Sequence, residues 1–368
     1  MATVVAKIGS SSITNDRGEV DTPSIVKLCE EVAGLRAAGH RVVVVTSGAV
    51  AAGLPALGMS PDVAPDSATL QAISAVGQSR LMRVYDDVLA GHRLVGGQVL
   101  LAPLDFMIRQ QYLHARSTLE RLLDLGVVPV VNENDAIADD EIRFGDNDRL
   151  AVLVAHLLNA HLLVILTDSA GVHTSDPRSD PDASLIEEIL EVDATIERLA
   201  GRPGGARGSG GMASKVQAAK MAAWTGIRTV IAAADRPGVV QDALEGRPGV
   251  GTVVQPRPTR LSARRLWIAF AVGAAGRITV DDGARRALVD RGTSLLPAGV
   301  TGVEGSFEPM DAVELAGPDG AVFAKGLVRV RAGDLRTVAG QRTVDLPDNI
   351  PHLVVHRDDL VMLPGSGV

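Results

Sequence analysis

Lys7 is followed by Ile8, Gly9 and three hydroxyls, Ser10, Ser11 and Ser12. A cation, a glycine that leaves backbone N–H groups accessible, and hydroxyl donors make a phosphate cradle. A turn with a solvated lysine is the competing reading. A second glycine run, Gly204-Gly205-Ala206-Arg207-Gly208-Ser209-Gly210-Gly211, leads into Met212-Ala213-Ser214-Lys215. A helix opening on glycines with a lysine in its first turns aims N–H groups and a cation at an anion. A flexible linker before a core helix is the alternative. The spacing is not that of a Walker A loop. Gly208-x-Gly210-x-x-Ala213 imitates a dinucleotide fingerprint, but a helical pattern (Leu185 to Leu199), not a strand, precedes it.

Two clusters of acids and amides stand near mid-chain: Asn132-Glu133-Asn134-Asp135 and Gly145-Asp146-Asn147-Asp148. Such density after an apolar run suits a polar substrate carrying an ammonium group, or a metal; a solvated turn is the plain alternative. The EF-hand spacing is absent. Thr46-Ser47-Gly48 is not the G-x-S-x-G elbow of hydrolases, so Ser47 reads as a turn that admits a substrate carboxylate, or as a helix cap. Thr167-Asp168 closes another apolar run, where it could meet a nucleotide or cap a turn. The histidines show no H-E-x-x-H pattern and one cysteine, Cys29, cannot make a thiolate zinc site, so these residues read as structural.

The elements that must carry these residues emerge from periodicity. Thr3–Ile8, Arg41–Thr46, Val95–Leu101, Val127–Val131, His161–Thr167 and Arg228–Ala233 are short β-branched runs and read as strands. Helical patterns separate them: Ile25, Leu28, Val32 and Leu35 ending at Gly39, then Ala68–Leu89, Ala115–Leu125, Asn147–Leu158 and Gly211–Thr225. Strands alternating with helices predict a mostly parallel open sheet sandwiched by helices, an α/β fold. Ligands of such sheets collect at the carboxyl ends of the strands, and every cluster above lies just past a strand or opens a helix there.

Composition agrees. The chain is 46% apolar with only nine aromatic residues, so the core is aliphatic. Lys plus Arg is 36 and Asp plus Glu is 44, giving a net charge of −8, which argues against a protein that mainly coats nucleic acid or an anionic membrane. No signal peptide is read at the N-terminus, and no apolar run reaches membrane-spanning length. The lone cysteine fits a reducing, cytoplasmic location. Near residue 255 the pattern changes to short strands (277–280, 313–315, 322–330 and 353–363) and turns such as Gly317-Pro318-Asp319-Gly320. The expected division is a domain over 1–258, a linker over 259–275, a small β-rich domain over 276–355 and a C-terminal extension over 356–368.

VVAKIGSSS, VVVVTSGAVAAG, VPVVNENDAI, FGDNDRLAVLVA, LLVILTDSAGVHTSDPR and GSGGMASKVQAA occur in one order. Together they resemble the glutamate 5-kinases of the amino acid kinase family, over nearly the whole chain. From GRITVDDGARRALVDRGTSLLPAGV onward the sequence is similar to PUA domains. The resemblance implies the amino acid kinase fold and the reaction of ATP, with Mg2+ held mainly by the nucleotide, and L-glutamate to give γ-glutamyl phosphate, the first step of proline biosynthesis.

Carried over by position, the resemblance gives Lys7, Lys215 and Asp148 catalytic roles, with Asp148 orienting the two lysines. It puts ATP on Lys7, Gly9, Ser10, Thr167, Asp168, Ser209, Gly210, Gly211, Met212, Ala213, Ser214 and Lys215. It puts glutamate on Ser47, Asp135 and Asn147, and it assigns no protein metal site. Related enzymes commonly have Thr at Ser209. It also implies proline as a feedback inhibitor, a homo-oligomer and functional coupling to glutamyl phosphate reductase. The chemistry is consistent: a γ-carboxylate is already ionised at pH 7, so no general base is required. The alternatives are a kinase of acetylglutamate, aspartate or carbamate, and an RNA-binding role through the PUA-like part. Residues 260–368 carry 13 basic and 13 acidic residues, a weak nucleic-acid footprint, with Arg285, Arg286, Arg329 and Arg331 as a local patch.

Overall fold

A computed structural model describes residues 1–15, 18–60, 66–102, 105–106, 108–137, 147–201, 211–258, 261–266, 268–269, 273–347 and 350–363. They divide into two compact units, Met1–Arg260 and Leu261–Val368.

The first unit is built on an eight-stranded sheet. Its strands are β1 (Thr3–Ile8), β2 (Arg41–Thr46), β3 (Gly96–Leu101), β4 (Val128–Glu133), β5 (Leu162–Thr167), β6 (Glu188–Ile189), β7 (Arg228–Ala233) and β8 (Thr252–Val254). Their order is β3-β4-β2-β1-β5-β7-β8-β6, and every pairing is parallel except β7 with β8. Helices cover the sheet, so its central strands are buried on both faces and need β-branched residues throughout. All six residues of β1 are buried, Lys7 included, and Lys7 lies in register with Val45 of β2 and Ile165 of β5.

The helices are α1 (Ser10–Ile13), α2 (Thr22–Ala37), α3 (Ala49–Gly53), α4 (Ser67–Gly91), α5 (Arg109–Asp124), α6 (Asn147–Leu157), α7 (Ala194–Leu199), α8 (Met212–Trp224) and α9 (Val239–Glu245). Asp21 caps α2 and Asp66 caps α4, each accepting a backbone N–H. α2 lays Ile25, Leu28, Cys29, Val32 and Leu35 on the sheet, each worth about 1.5–3 kcal/mol when fully buried if aliphatic. Cys29 is part of that core, and burial pushes its thiol up to about 12, which makes it unreactive. α3 and α4 approach so closely that a Cβ on Gly77 would collide with the carbonyl of Ala49. His40 and His161 serve structure, each accepting a backbone N–H of the N-terminal segment, from Ala2 and Thr3.

The parallel sheet agrees with the sequence reading, with differences of detail. β4 extends two residues beyond the apolar run, because Asn132 and Glu133 pair with Leu100 and Leu101 of β3 through backbone groups that need no apolar side chain. The helical pattern over Leu185–Leu199 is only half helix. Glu188 and Ile189 pair with Val253 and Val254, and the helix starts at Ala194, where Asp193 accepts the N–H groups of Thr195 and Ile196.

The second unit carries a five-stranded sheet in the order β10-β9-β11-β12-β13, from β9 (Gly276–Val280), β10 (Val300–Gly305), β11 (Ala312–Ala316), β12 (Val322–Val328) and β13 (Val355–Met362). Helices α10 (Ala263–Leu266), α11 (Asp282–Arg291) and α12 (Ala332–Val338) accompany it. The Gly317–Gly320 turn joins β11 to β12, with the Gly320 N–H donating to the Gly317 carbonyl. Two expected boundaries need correction. The 259–275 stretch is not simply a linker, because Leu266 and Ile268 are fully buried and α10 packs against β13. Residues 356–362 are not an extension, because they form most of β13, paired antiparallel with β12. Residues 364–368 lie outside the described residues.

Candidate active site

β4, β2, β1 and β5 are neighbours in the sheet, and their carboxyl ends deliver Asp135, Ser47, Gly9 and Asp168 along one rim. The amino end of α6 adds Asn147 and Asp148. α8 starts at Met212 with Gly211 at its cap position, and among the described residues no side chain caps it by a hydrogen bond.

Lys7 and Lys215 are 208 positions apart in sequence and meet on one carboxylate. Lys7 Nζ lies 2.5 Å from Asp148 Oδ1, and Lys215 Nζ lies 3.3 Å from Asp148 Oδ2. Ser214 Oγ also donates to Asp148 Oδ2 at 3.3 Å. The Asp148 side chain is 0% exposed and those of Lys7 and Lys215 are 3% and 5%. Burial alone would raise the Asp148 carboxyl; the two ammonium groups outweigh it and hold it below the usual carboxylate range. The trio therefore carries one net positive charge inside the protein. A Cβ on Gly9 would lie 3.2 Å from Lys7 Nζ, so the glycine leaves room directly beside the ammonium. That room, the second lysine and the uncapped end of α8 fit the phosphates of a nucleotide.

A second group adjoins the first through the Asn147–Asp148 peptide bond. Asn147 Nδ2 donates to Thr46 O at 2.6 Å, Asn132 Oδ1 at 2.7 Å and Ser47 Oγ at 2.9 Å. Asn132 Nδ2 donates to Gln78 Oε1 at 2.8 Å. Ser74 Oγ donates to Asp135 Oδ2 at 2.8 Å. Asn147 Oδ1 is buried without a hydrogen-bond partner among the described residues. An acceptor in that state suits a ligand bearing a charged amine.

The structure thus gathers Lys7, Ser214, Lys215 and Asp148 into one cluster, and Ser47, Asn132 and Asn147 into the next. Asp135 reaches α4 through Ser74. Thr167 donates to Asp168 at 3.0 Å at the end of β5, and neither side chain joins the two clusters by a hydrogen bond among the described residues. Ser10 is exposed just past Gly9; Met212 and Ala213 form the first turn of α8. Ser209 and Gly210, like Gly145 and Asp146, lie outside the described residues. Sequence reasoning missed Ser74 and Gln78, two buried polar residues one turn apart on α4. The available signal was a pair of polar residues at i, i+4 spacing on the apolar stripe that Ile73, Leu81 and Tyr85 define.

Among the described residues no group of three or more His, Cys, Asp or Glu gathers to hold a metal ion, and no helix is long and apolar enough to cross a membrane. In the second unit, Arg285 pairs with Asp319, Arg329 with Asp359 and Arg331 with Glu308, which neutralises most of the arginine patch read from the sequence.

Residues 2–233 match the amino acid kinase family, and residues 276–349 match the PUA domain. Among curated proteins, the glutamate 5-kinase of Trichlorobacter lovleyi is 45% identical over 99% of this chain and 97% of its own length. That of Pelobacter propionicus is 44% identical over 98% and 97%, and that of Cronobacter sakazakii 42% identical over 98% of each.

Proposed function

The chain belongs to the amino acid kinase family, and from that membership we propose that it transfers the γ-phosphoryl group of ATP to the γ-carboxylate of L-glutamate, giving γ-glutamyl phosphate for proline biosynthesis. The whole-length similarity to glutamate 5-kinases supports the reaction. The observation that carries it in this molecule is the convergence of Lys7 and Lys215 on Asp148, one peptide bond from the amide cluster of Asn147.

The chemical difficulty is the approach of two anions. Two unit charges 4 Å apart repel by about 4 kcal/mol at an effective dielectric of about 20. Lys7 and Lys215 offset that repulsion, and their positive charge matches the negative charge that spreads over the phosphoryl oxygens in the transition state. Asp148 fixes both ammonium groups, so little reorganisation is needed during transfer. The attacking carboxylate is ionised at pH 7, and the reading asks for no general base. The N–H groups of Gly9, Ser10 and the first turn of α8, with Ser214, would hold phosphate oxygens. Ser209 and Gly210, in the loop before α8, would join them. Thr167 and Asp168 would meet the rest of the nucleotide. Mg2+ would arrive with ATP and neutralise phosphate charge; Asp148 is already engaged by two lysines and is not free to ligate it. Ser47, Asp135 and Asn147 would bind glutamate, with Asp135 and Asn147 Oδ1 facing its ammonium.

The same reading includes proline as an inhibitor at or near the glutamate site, a homo-oligomer, functional coupling to glutamyl phosphate reductase and a cytoplasmic location. Kinases of acetylglutamate, aspartate or carbamate, and an RNA role, are less well supported, given the glutamate 5-kinase relatives and the paired arginines of the second unit. The test traps the acyl phosphate as a hydroxamate, with ATP and Mg2+, across a panel of acids. Hydroxamate formed with glutamate and not with acetylglutamate or aspartate is expected. A preference for another acid would overturn the substrate.

A further inference from the structure

The hydrogen bonds around Asn147 have a direction that two backbone groups impose. Thr46 O is a carbonyl and can only accept, so the Asn147 group facing it at 2.6 Å must be the NH2. The Glu133 backbone N–H can only donate, so the Asn132 group it meets at 2.9 Å must be the oxygen. That oxygen also accepts from Asn147 Nδ2. Asn132 is then left with its NH2, which donates to Gln78 Oε1 at 2.8 Å. Three amides in series, from α4 through β4 to α6, therefore share one polarity. The relay is buried: Gln78, Asn132 and Asn147 are each at most 7% exposed. Its result is that Asn147 Oδ1, and not its NH2, remains unpartnered among the described residues.

From this direction we infer that Gln78 is a positioning residue for recognition of the substrate's α-ammonium group. Gln78 holds Asn132, Asn132 and Thr46 hold Asn147, and the locked Asn147 offers an acceptor. Backbone groups set the polarity of both asparagines; Gln78 fixes the position of the Asn132 side chain and, through it, the position of the Asn147 acceptor that would meet an ammonium. The relay thus tunes selectivity for a free amine and leaves the γ-carboxylate and the nucleotide untouched. The inference deepens the glutamate reading and rests on it.

The test compares glutamate with glutarate, which is glutamate without the amine, read as alternative substrate or competitive inhibitor. Gln78→Met keeps the length of the side chain and removes its amide. The expected result is a glutamate KM raised about tenfold, the scale of one lost buried hydrogen bond. Glutarate binding and the ATP KM should stay close to wild type. Gln78→Glu keeps an acceptor for Asn132 in either protonation state and should restore most of the glutamate preference. If Gln78→Met does not fold, Gln78→Leu removes the same amide and is read in the same way. Equal weakening of glutamate and glutarate, or no change in either, overturns the inference and leaves the kinase reading intact. Failure of the wild-type chain to phosphorylate glutamate removes the reading beneath it.

Discussion

Lys7 Nζ and Asp148 Oδ1 are 2.5 Å apart, and neither side chain is more than 3% exposed. A buried pair of this kind is poor evidence for stability alone, because desolvation consumes most of its Coulomb energy. Its place at the carboxyl end of the central strand, with a second lysine on the other oxygen, gives it a use in handling anions.

Removing one of the cations should therefore cost rate. Lys215→Ala is expected to lower kcat by about 10²–10³, the scale of one preorganised charge contact. Steady-state ADP release measures it, and near-normal turnover would show that Lys215 has no part in the reaction.

Removing the carboxylate should cost stability as well. Asp148→Asn removes the carboxylate charge on which two buried ammonium groups converge, a loss of about 3–5 kcal/mol in the ligand-free protein. The pH dependence has a definite sign. The folded-state value of Asp148 lies below the 3.8 of an unperturbed carboxyl. Its contribution is then complete well above that value and is lost as pH falls through the folded value. The stability gap between wild type and Asp148→Asn should be constant from pH 7 to about 5 and narrow below about 4. Urea unfolding across that range checks it; a gap that widens on acidification would contradict the lysine contacts.

Asp135, just past β4, accepts a hydrogen bond from Ser74 of α4. Asp135→Ala should raise the glutamate KM with the ATP KM little changed. The opposite pattern in initial-rate kinetics would move Asp135 to the nucleotide.

The α3–α4 contact predicts a steric effect. Gly77→Ala places a methyl group against the Ala49 carbonyl, and overpacking of this kind costs about 1–3 kcal/mol. Because Gln78 is the next residue, the glutamate KM should rise too. Unfolding midpoints as stable as wild type would mean that the two helices yield easily there.

Much of the fold and site is legible in the sequence because the signals are local. Four valines in a row mark β2, and an open parallel sheet directs attention to the residues at and just past the carboxyl end of each strand, which brings out Lys7, Ser47, Asp135 and Thr167. Asn147 and Asp148 are equally visible as a dense polar pair opening a helix. Ser74 and Gln78 are not, because two polar residues within a long helix resemble a solvated face until tertiary structure turns them inward. The strand at Glu188–Ile189 is hidden for a related reason. Two residues have no periodicity, and pairing with β8 is a long-range event. The strand over 353–363 is legible as an apolar run, but its pairing with β12 is a long-range event, so the sequence pattern leaves β13 partly outside its domain.

Asn147 and Asp148 are consecutive, yet one grips the amide chain and the other the lysines. A single turn of α6 cannot shift one without the other. Loading either side therefore stiffens the seat of its neighbour, and the two ligands should bind synergistically. Thermodynamic reciprocity then fixes the size: whatever factor nucleotide adds to the affinity for the amino acid, the amino acid adds to that for nucleotide.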